Sequence, residues 1–280
     1  MSTLTVSSEA PTTAPRADKP RITNLRVIKA EWIKLRSLRS TWYMMASLFG
    51  VIVAFGLLSA AVATGDVSTA GGPPGFAGLS PVGTVLSGAR FGVLLIAVFG
   101  VMVGAREYSS GLIRTTLAAV PSRLPVLLGK LTVFVAVVTP VIVSATIVAF
   151  LGGTAILTGA GVASATWSDP GVAGAVIGTA GYLIGIGILG VALGMLFRGI
   201  GAGIGVLIGG ILFVPTLLTA LLPDSWDSVL KYLPSNAGQA FTSVDGGASL
   251  LGYWPGVGVF IAWVVLAVGA AAWSLKRRDS

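Results

Sequence analysis

The sequence predicts an all-α membrane protein with six transmembrane helices. Of its 280 residues, 54% are hydrophobic and 10% are charged, and the mean hydropathy is +0.92. Apolar runs of roughly 18 residues or more recur, and each is long enough to cross about 30 Å of hydrocarbon as a helix. A helix pairs its own backbone groups, which is required inside a bilayer. This composition excludes a water-soluble domain.

The composition of residues 1–20 predicts a disordered cytoplasmic tail. They are rich in Ser, Thr, Ala and Pro, and they contain no apolar core that would offset the entropy lost on folding. They also lack the apolar central region of a signal peptide. We therefore assign the membrane domain to residues 21–280.

Residues 21–40 predict a basic amphipathic helix that lies in the membrane interface before the first span. Apolar residues, among them Trp32, recur at steps of three or four and form one face. Lys34, Arg36 and Arg39 are among the basic residues that fall mostly away from this face. A lipid anchor is the simplest interpretation of such a helix, and binding to a specific partner is the alternative.

Six apolar segments follow, and the distribution of basic residues indicates their orientation in the membrane. The predicted spans lie near residues 41–63, 82–105, 131–158, 171–197, 200–222 and 255–275. This arrangement places every lysine and arginine except Arg90 and Lys231 on one face of the membrane. The positive-inside rule makes that face cytoplasmic, with both termini on it. Pro215 is expected to kink the fifth span, because proline removes a backbone donor.

The cytoplasmic loop between predicted spans two and three carries recurring charges within an otherwise apolar region. Ser109 or Ser110 can cap a short helix, in which Leu112, Ile113 and Leu117 form an apolar strip beside Arg114 and Thr115. Pro121 stops this helix, and a second helical piece runs through Pro125 and Lys130 into the next apolar segment.

Small residues mark the fourth and fifth spans. Gly181 and Gly185 stand four residues apart, as do Gly201 and Gly205. This spacing places small residues on one helix face, where two backbones can approach closely. We therefore expect spans four and five to pack tightly. The faces serve either the packing of the bundle alone or an interface between subunits.

Several classes of function are excluded. The chain has no cysteine and no histidine, which removes thiolate chemistry and the usual zinc ligands. Gly129 and Lys130 are followed by Leu131, and no glycine stands at position 124, so the phosphate-binding loop pattern fails. We predict no enzymatic activity and no cofactor. The net charge of +8 does not indicate a nucleic-acid partner, because the basic residues lie beside membrane segments and anionic lipid.

Three segments resemble the ABC-2 type transporter permeases of bacteria. They are AEWIKLRSLRSTWYMM at 30–45, EYSSGLIRTTLAAVPSRLPVLLGK at 107–130 and YLPSNAGQAF at 232–241. They occur in the order typical of the family, and the resemblance covers most of the chain after residue 24. It implies a permease that forms a homodimer in the bacterial plasma membrane and exports a substrate with a separate ATP-binding subunit.

The same resemblance implies roles for two segments. Residues 21–40 correspond to the family's elbow helix, and the loop after span two corresponds to its coupling helix, which docks on the ATPase. The implied coupling residues are Glu107, Gly111, Leu112, Ile113, Arg114, Thr115 and Leu117. We expect Glu107 to hold the loop against Arg106, Arg114 or the basic N-terminal helix. A non-transporting membrane scaffold or sensor partner is the alternative function.

Overall fold

The computed structural model describes residues 23–65, 80–109, 111, 124–244 and 251–278. Over these residues the chain is helical and contains no β-strand. Six helices are long and apolar enough to cross a membrane, as the sequence predicts. We refer to them as spans one to six, and their bounds are Arg39–Ala63, Gly88–Ser109, Leu124–Gly159, Val172–Phe197, Ile200–Leu221 and Tyr253–Arg278. The chain therefore fits an integral, multi-pass membrane protein.

A separate helix, Asn24–Ser37, precedes span one, and we call it the N-terminal helix. It ends where Leu38 adopts an extended backbone, with φ −87° and ψ 114°. Arg39 therefore begins span one and does not belong to the N-terminal helix, which corrects the expected boundary. The extended residue breaks the backbone hydrogen bonds that would otherwise continue one helix into the next.

The buried face of the N-terminal helix differs from the expected apolar face. Val27, Glu31 and Leu35 are buried, at a spacing of four residues, whereas Leu25 and Trp32 are exposed. Hydrophobicity alone therefore does not select the face that packs on the bundle. An acidic side chain lies at its centre, and its partners are described below.

Spans two and three both extend further toward the connecting segment 110–123 than expected. Span two begins at Gly88, after a short helix, Pro81–Val85, and continues to Ser109. Span three is a helix of 36 residues. At 1.5 Å per residue it is about 54 Å long, well beyond the roughly 30 Å of a hydrocarbon core. Its first two turns run through Pro125 and Lys130 as the sequence predicts.

The most extensive contact between helices joins spans two and four, and glycines make it close. A Cβ atom on Gly100 of span two would lie 3.2 Å from the Cα of Gly190 in span four. A Cβ on Gly194 would lie 2.5 Å from the carbonyl oxygen of Val101. The two backbones are thus nearly in contact, as small residues permit.

The glycines singled out in the sequence have different neighbours from those expected. A Cβ on Gly185 would collide with the ring of Phe260 in span six, so this glycine makes room for span six and not for span five. Among the residues that the structure describes, no atom lies within 4 Å of a Cβ placed on Gly181, Gly201 or Gly205. Spacing identifies a face of small residues, but it does not identify the helix that the face meets.

Span five contains a π-helical turn, Gly209–Phe213, just before Pro215. Proline has no N–H, so a carbonyl in the preceding turn loses its ordinary partner. The N–H of Val214 donates to the carbonyl oxygen of Gly209, five residues earlier, which is the spacing of a π-helix. Span five is therefore irregular just before Pro215, where the sequence predicts a kink.

The segment between spans five and six contains a helix that the sequence analysis did not assign, Pro234–Thr242. Proline suits the first turn of a helix, where an N–H has no intrahelical partner. The helix packs on spans four and six, and Phe241 joins an aromatic cluster with Tyr182 and Phe260. Pro234 therefore starts a helix.

Replacement of Gly194 by alanine should lower stability by about 1–3 kcal/mol, because the new methyl group meets backbone atoms that cannot move aside cheaply. Gly181→Ala is the matched control in the same helix. Its Cβ meets no atom within 4 Å, so it should be neutral or slightly stabilising. Thermal unfolding of the purified chain in detergent compares the two. Equal stability of both variants would contradict the close contact between spans two and four.

Candidate functional site

Four charged side chains form a closed ring where the N-terminal helix meets spans two and three. Lys34 Nζ donates to Glu31 Oε1 at 2.8 Å and to Glu107 Oε1 at 2.9 Å. Lys130 Nζ donates to Glu31 Oε2 at 2.8 Å and to Glu107 Oε1 at 3.0 Å. Each lysine bridges both glutamates, and we call these four residues the charge ring.

Close packing of the N-terminal helix on span three brings two members of the ring together. A Cβ on Gly129 would lie 3.1 Å from Cγ1 of Val27, so the glycine lets the two helices approach. Val27 and Val126 are buried in one apolar cluster at this point. Lys130, the next residue in span three, then reaches Glu31 on the N-terminal helix.

Glu107 reaches the ring because span two continues beyond its expected end. The apolar run ends near residue 105, but the helix extends to Ser109 and carries Glu107 to both lysines. The ring therefore lies where span two leads into segment 110–123 and where span three begins just after that segment.

The ring is largely excluded from solvent. The exposed fraction of the side chain is 5% for Glu31, 9% for Glu107 and 5% for Lys130, whereas that of Lys34 is 46%. The two lysines and the two glutamates balance each other's charges. Ionised groups can be buried only when they are paired in this way. Loss of one partner leaves a buried charge without compensation, and this is far more costly than loss of an exposed ion pair.

The ring raises the pKa of Lys34 above its ordinary value. Burial acts to lower this pKa, but the hydrogen bonds and negative charges of Glu31 and Glu107 outweigh burial. Because the folded-state pKa is raised, the stabilisation from Lys34 is fully present below the pKa of an unfolded lysine. It is lost only as pH rises through the raised value. Lys34 is therefore protonated at neutral pH.

The residue after Glu107 connects this region to the turn between spans four and five. The guanidinium carbon of Arg198 lies 5.4 Å from the centre of the Tyr108 ring, within the range of a cation–π contact. Arg198 ends span four with a left-handed backbone, φ 56°. Through Glu107 and Tyr108, the end of span two thus contacts the N-terminal helix, span three and the turn after span four.

A cavity of about 620 Å³ opens beside the charge ring. All four ring residues border it, together with Arg106 and the apolar side chains of Met44, Phe99 and Met102. The ring therefore forms one wall of a space large enough for part of a small molecule.

The structure describes two of the expected coupling residues. Glu107 belongs to the charge ring, and its partner on the N-terminal helix is Lys34. Gly111 has φ 73°, and its N–H donates to the carbonyl oxygen of Tyr108 at 3.2 Å, which turns the chain at the end of span two. The other expected coupling residues lie outside the described residues, and they are Leu112, Ile113, Arg114, Thr115 and Leu117.

The four residues that the sequence analysis singled out in segment 21–40 have different surroundings. Lys34 is in the charge ring, whereas Trp32, Arg36 and Arg39 are exposed. The carbonyl oxygen of Arg36 accepts a hydrogen bond from Trp42 Nε1 at 3.1 Å, which links the N-terminal helix to span one across the break. Lys34 is thus the member of this group that contacts the bundle through its charge.

Glu31 and Lys130 are the members of the charge ring that the sequence analysis did not assign to a site. Glu31 lies between Val27 and Leu35 at four-residue spacing, so an acidic residue interrupts a buried face. A carboxylate in such a position indicates a basic partner on another helix. This signal was available, but the identity of the partner depends on a contact across 99 residues of sequence.

In the described part of the chain, no group of three or more His, Cys, Asp or Glu residues is arranged to hold a metal ion. No protein-family model and no curated protein matches this chain. The charge ring and the adjacent cavity are therefore the features on which a function can be argued.

Replacement of Lys130 by methionine should destabilise the chain by about 3–5 kcal/mol, because the two buried carboxylates lose the buried one of their two shared cations. Lys34→Met should cost less, since its side chain is 46% exposed and water can solvate the remaining groups. Denaturant unfolding in detergent, followed by tryptophan fluorescence, measures both effects.

The double variant Glu31→Gln/Lys130→Met should regain part of the stability lost in Lys130→Met, because it removes the one negative charge that Lys130→Met leaves uncompensated. The difference from additivity measures the coupling between the two residues. Stability of Lys130→Met equal to that of the wild type would contradict the charge ring.

Proposed function

We propose that the chain is the permease subunit of an ATP-driven ABC-2 type exporter. In this proposal a separate ATP-binding subunit supplies the energy, and the pair moves a substrate out of the cytoplasm. The observation that carries the proposal is the charge ring, which joins the N-terminal helix to spans two and three beside segment 110–123. The resemblance of residues 30–45, 107–130 and 232–241 to ABC-2 permeases supports it.

The proposed coupling follows from where segment 110–123 is attached. It leaves span two at Ser109 and enters span three at Leu124, so a displacement of the segment acts directly on the ends of two long helices. The charge ring holds these ends to each other and to the N-terminal helix. Movements of packed helices are a common way to transmit such a displacement. Span two would pass it on to span four through their close contact.

The N-terminal helix is proposed to lie in the cytoplasmic interface of the membrane, as an elbow helix does. Leu25, Trp32 and Ile33 are exposed, with exposed fractions of 78%, 43% and 56%. Apolar side chains exposed on a helix with several basic residues suit the boundary between headgroups and acyl chains. In the bacterial plasma membrane, both termini would then lie on the cytoplasmic side.

A homodimer is part of the proposal. Spans five and six are the least buried of the six spans. Gly201 and Gly205 form an open small-residue surface on span five, with no atom of the described part of the chain within 4 Å of an added Cβ. Such a surface suits close approach by a helix of a second copy. The export path would then run between the two copies.

We expect Ile113→Asp to reduce co-purification of the ATP-binding subunit by about tenfold or more, because a charge would enter the apolar core of the interface. Arg114→Ala should weaken association less and reduce its dependence on salt, as expected for a charge at the rim. Pull-down with a candidate ATP-binding subunit measures association. The chain alone should hydrolyse no ATP.

Val229→Asp is the matched control for Ile113→Asp. Val229 is 55% exposed and lies after span five, on the face opposite to segment 110–123 in the six-span topology. It should leave association unchanged. Normal association of Ile113→Asp would contradict the proposed docking site and favour a function of the scaffold or sensor class.

Glu107→Gln should retain the ATP-binding subunit but uncouple ATP hydrolysis from export. The amide keeps the shape of the carboxylate but removes its charge, so the hold of Lys34 and Lys130 on span two weakens. ATP-driven uptake of a panel of labelled drugs and lipids into inverted vesicles, measured beside ATP hydrolysis, separates the two effects. Asp169→Asn, the same change in an exposed loop, is the control. Unimpaired export by Glu107→Gln would exclude the charge ring from coupling.

A further inference from the structure

The charges that border the cavity beside the charge ring are already matched. Each glutamate of the ring accepts hydrogen bonds from both lysines. Arg106, the remaining charged residue of the lining, is also engaged with a partner. A charged ligand would have to displace one of these pairs, and breaking a buried pair is costly. The lining therefore favours an uncharged ligand.

Most of the cavity lining is apolar. On span two, Phe99, Met102 and Val103 stand three and four residues apart, so one face of the helix borders the cavity. Met44 continues the apolar surface on span one, and Leu35 adds to it from the N-terminal helix. Methionine side chains are flexible and adapt their shape to a ligand. The ligand that fits this surface has a largely apolar body.

Thr41 supplies an unused hydroxyl group to this lining. Its exposed fraction is 3%, and it borders the cavity. A threonine within a helix can donate to the carbonyl four residues earlier, as Thr146 does to Ile142. For Thr41 that carbonyl belongs to Ser37, which lies before the extended break at Leu38. Within the described residues the Thr41 hydroxyl therefore has no hydrogen-bond partner, and a ligand in the cavity can supply one.

The cavity opens beside the break between the N-terminal helix and span one. Lys34, Ser37 and Ser40 border it there and are exposed, and they form its polar end. Trp42 and Tyr43, in the first turns of span one, have exposed fractions of 57% and 72%. Exposed aromatic residues at the end of a span are typical of the interface between membrane and water. The opening therefore lies where a lipid can enter from the membrane.

We propose that this cavity binds an uncharged membrane lipid with a free hydroxyl group, such as a diacylglycerol. The lipid hydroxyl forms a hydrogen bond with Thr41, which satisfies a buried polar group that the protein leaves unpaired. Part of an acyl chain covers Met44 and the apolar face of span two. A phospholipid fits less well, because its phosphate would compete for the lysines that hold the charge ring together.

The test uses the full chain alone in phosphatidylcholine nanodiscs, so its outcome is independent of the ATP-binding subunit and of transport. The probe is a diacylglycerol with a photoreactive diazirine in one acyl chain. Two lipids with the same chains are compared with it: the deoxy analogue, which lacks the hydroxyl, and phosphatidic acid, which is charged. Mass spectrometry locates the labelled peptides. The diacylglycerol should label Met44 and residues 99–103 saturably, with an affinity about fivefold or more above that of the other two.

Thr41→Val should lower the affinity for the diacylglycerol about fivefold, because one hydrogen bond between uncharged groups is lost. Labelling by the deoxy analogue should not change. The variant should fold normally, since valine keeps the branched shape of threonine and no hydrogen bond within the described residues is removed. Thr132→Val is the matched control: Thr132 is exposed, donates to Leu128 within its own helix and does not border the cavity. It should be labelled as the wild type is.

Met102→Trp tests the apolar part of the site independently of Thr41. The larger ring fills the cavity, so the diacylglycerol and its deoxy analogue should both lose saturable labelling. This variant and the comparison of the three lipids on the wild type keep the test decisive if Thr41→Val does not fold.

Four results would overturn the proposal. One is labelling of the wild type by phosphatidic acid as strong as that by the diacylglycerol. The second is an unchanged affinity for the diacylglycerol in Thr41→Val, and the third is unchanged labelling of Met102→Trp. The fourth is competition by an equal concentration of butanol, which would indicate a site for a water-soluble alcohol.

Discussion

An ionised group buried at the edge of a membrane domain has to be matched by an opposite charge, and this constraint organises one end of the bundle. Glu31 and Glu107 come from helices that are distant in sequence, and each is compensated by Lys34 and Lys130. A shift of any one of the three helices would separate a pair and leave a charge in a region of low dielectric. The ring therefore fixes where the N-terminal helix docks more narrowly than apolar packing would, because apolar contacts are not directional.

Span two is the helix on which the two main constraints meet. Its glycines allow close contact with span four, and its last turns carry Glu107 into the charge ring and Tyr108 to Arg198. Close contact between backbones resists sliding because no flexible side chain separates them. Span two is thus held along its length at the centre of the bundle and at its end. Spans five and six, which are the least buried, have fewer such restraints.

The sequence predicted the spans well because hydropathy is a local property. A run of apolar residues has to become a helix in a bilayer whatever it packs against, and so the six spans agree with expectation to within a few residues, except at the start of spans two and three. The charge ring was not predictable in this way. The pairs that Lys34 forms with Glu107 and Lys130 with Glu31 are separated by 73 and 99 residues. Likewise, a glycine such as Gly194 indicates that another helix can approach span four closely. The identity of that helix, span two, depends on three-dimensional packing and cannot be read from the sequence.

Lys34 differs from the other ring members because it belongs to both the ring and the polar end of the cavity. It is half-exposed, whereas Glu31, Glu107 and Lys130 are buried. Water therefore weakens the pair that Lys34 forms with Glu107 more than it weakens the pairs of Lys130. Lys130 would still hold Glu31 and Glu107, because its pairs lie on the buried side. Loss of the pair between Lys34 and Glu107 would therefore loosen the N-terminal helix from span two, while Lys130 would keep both glutamates paired.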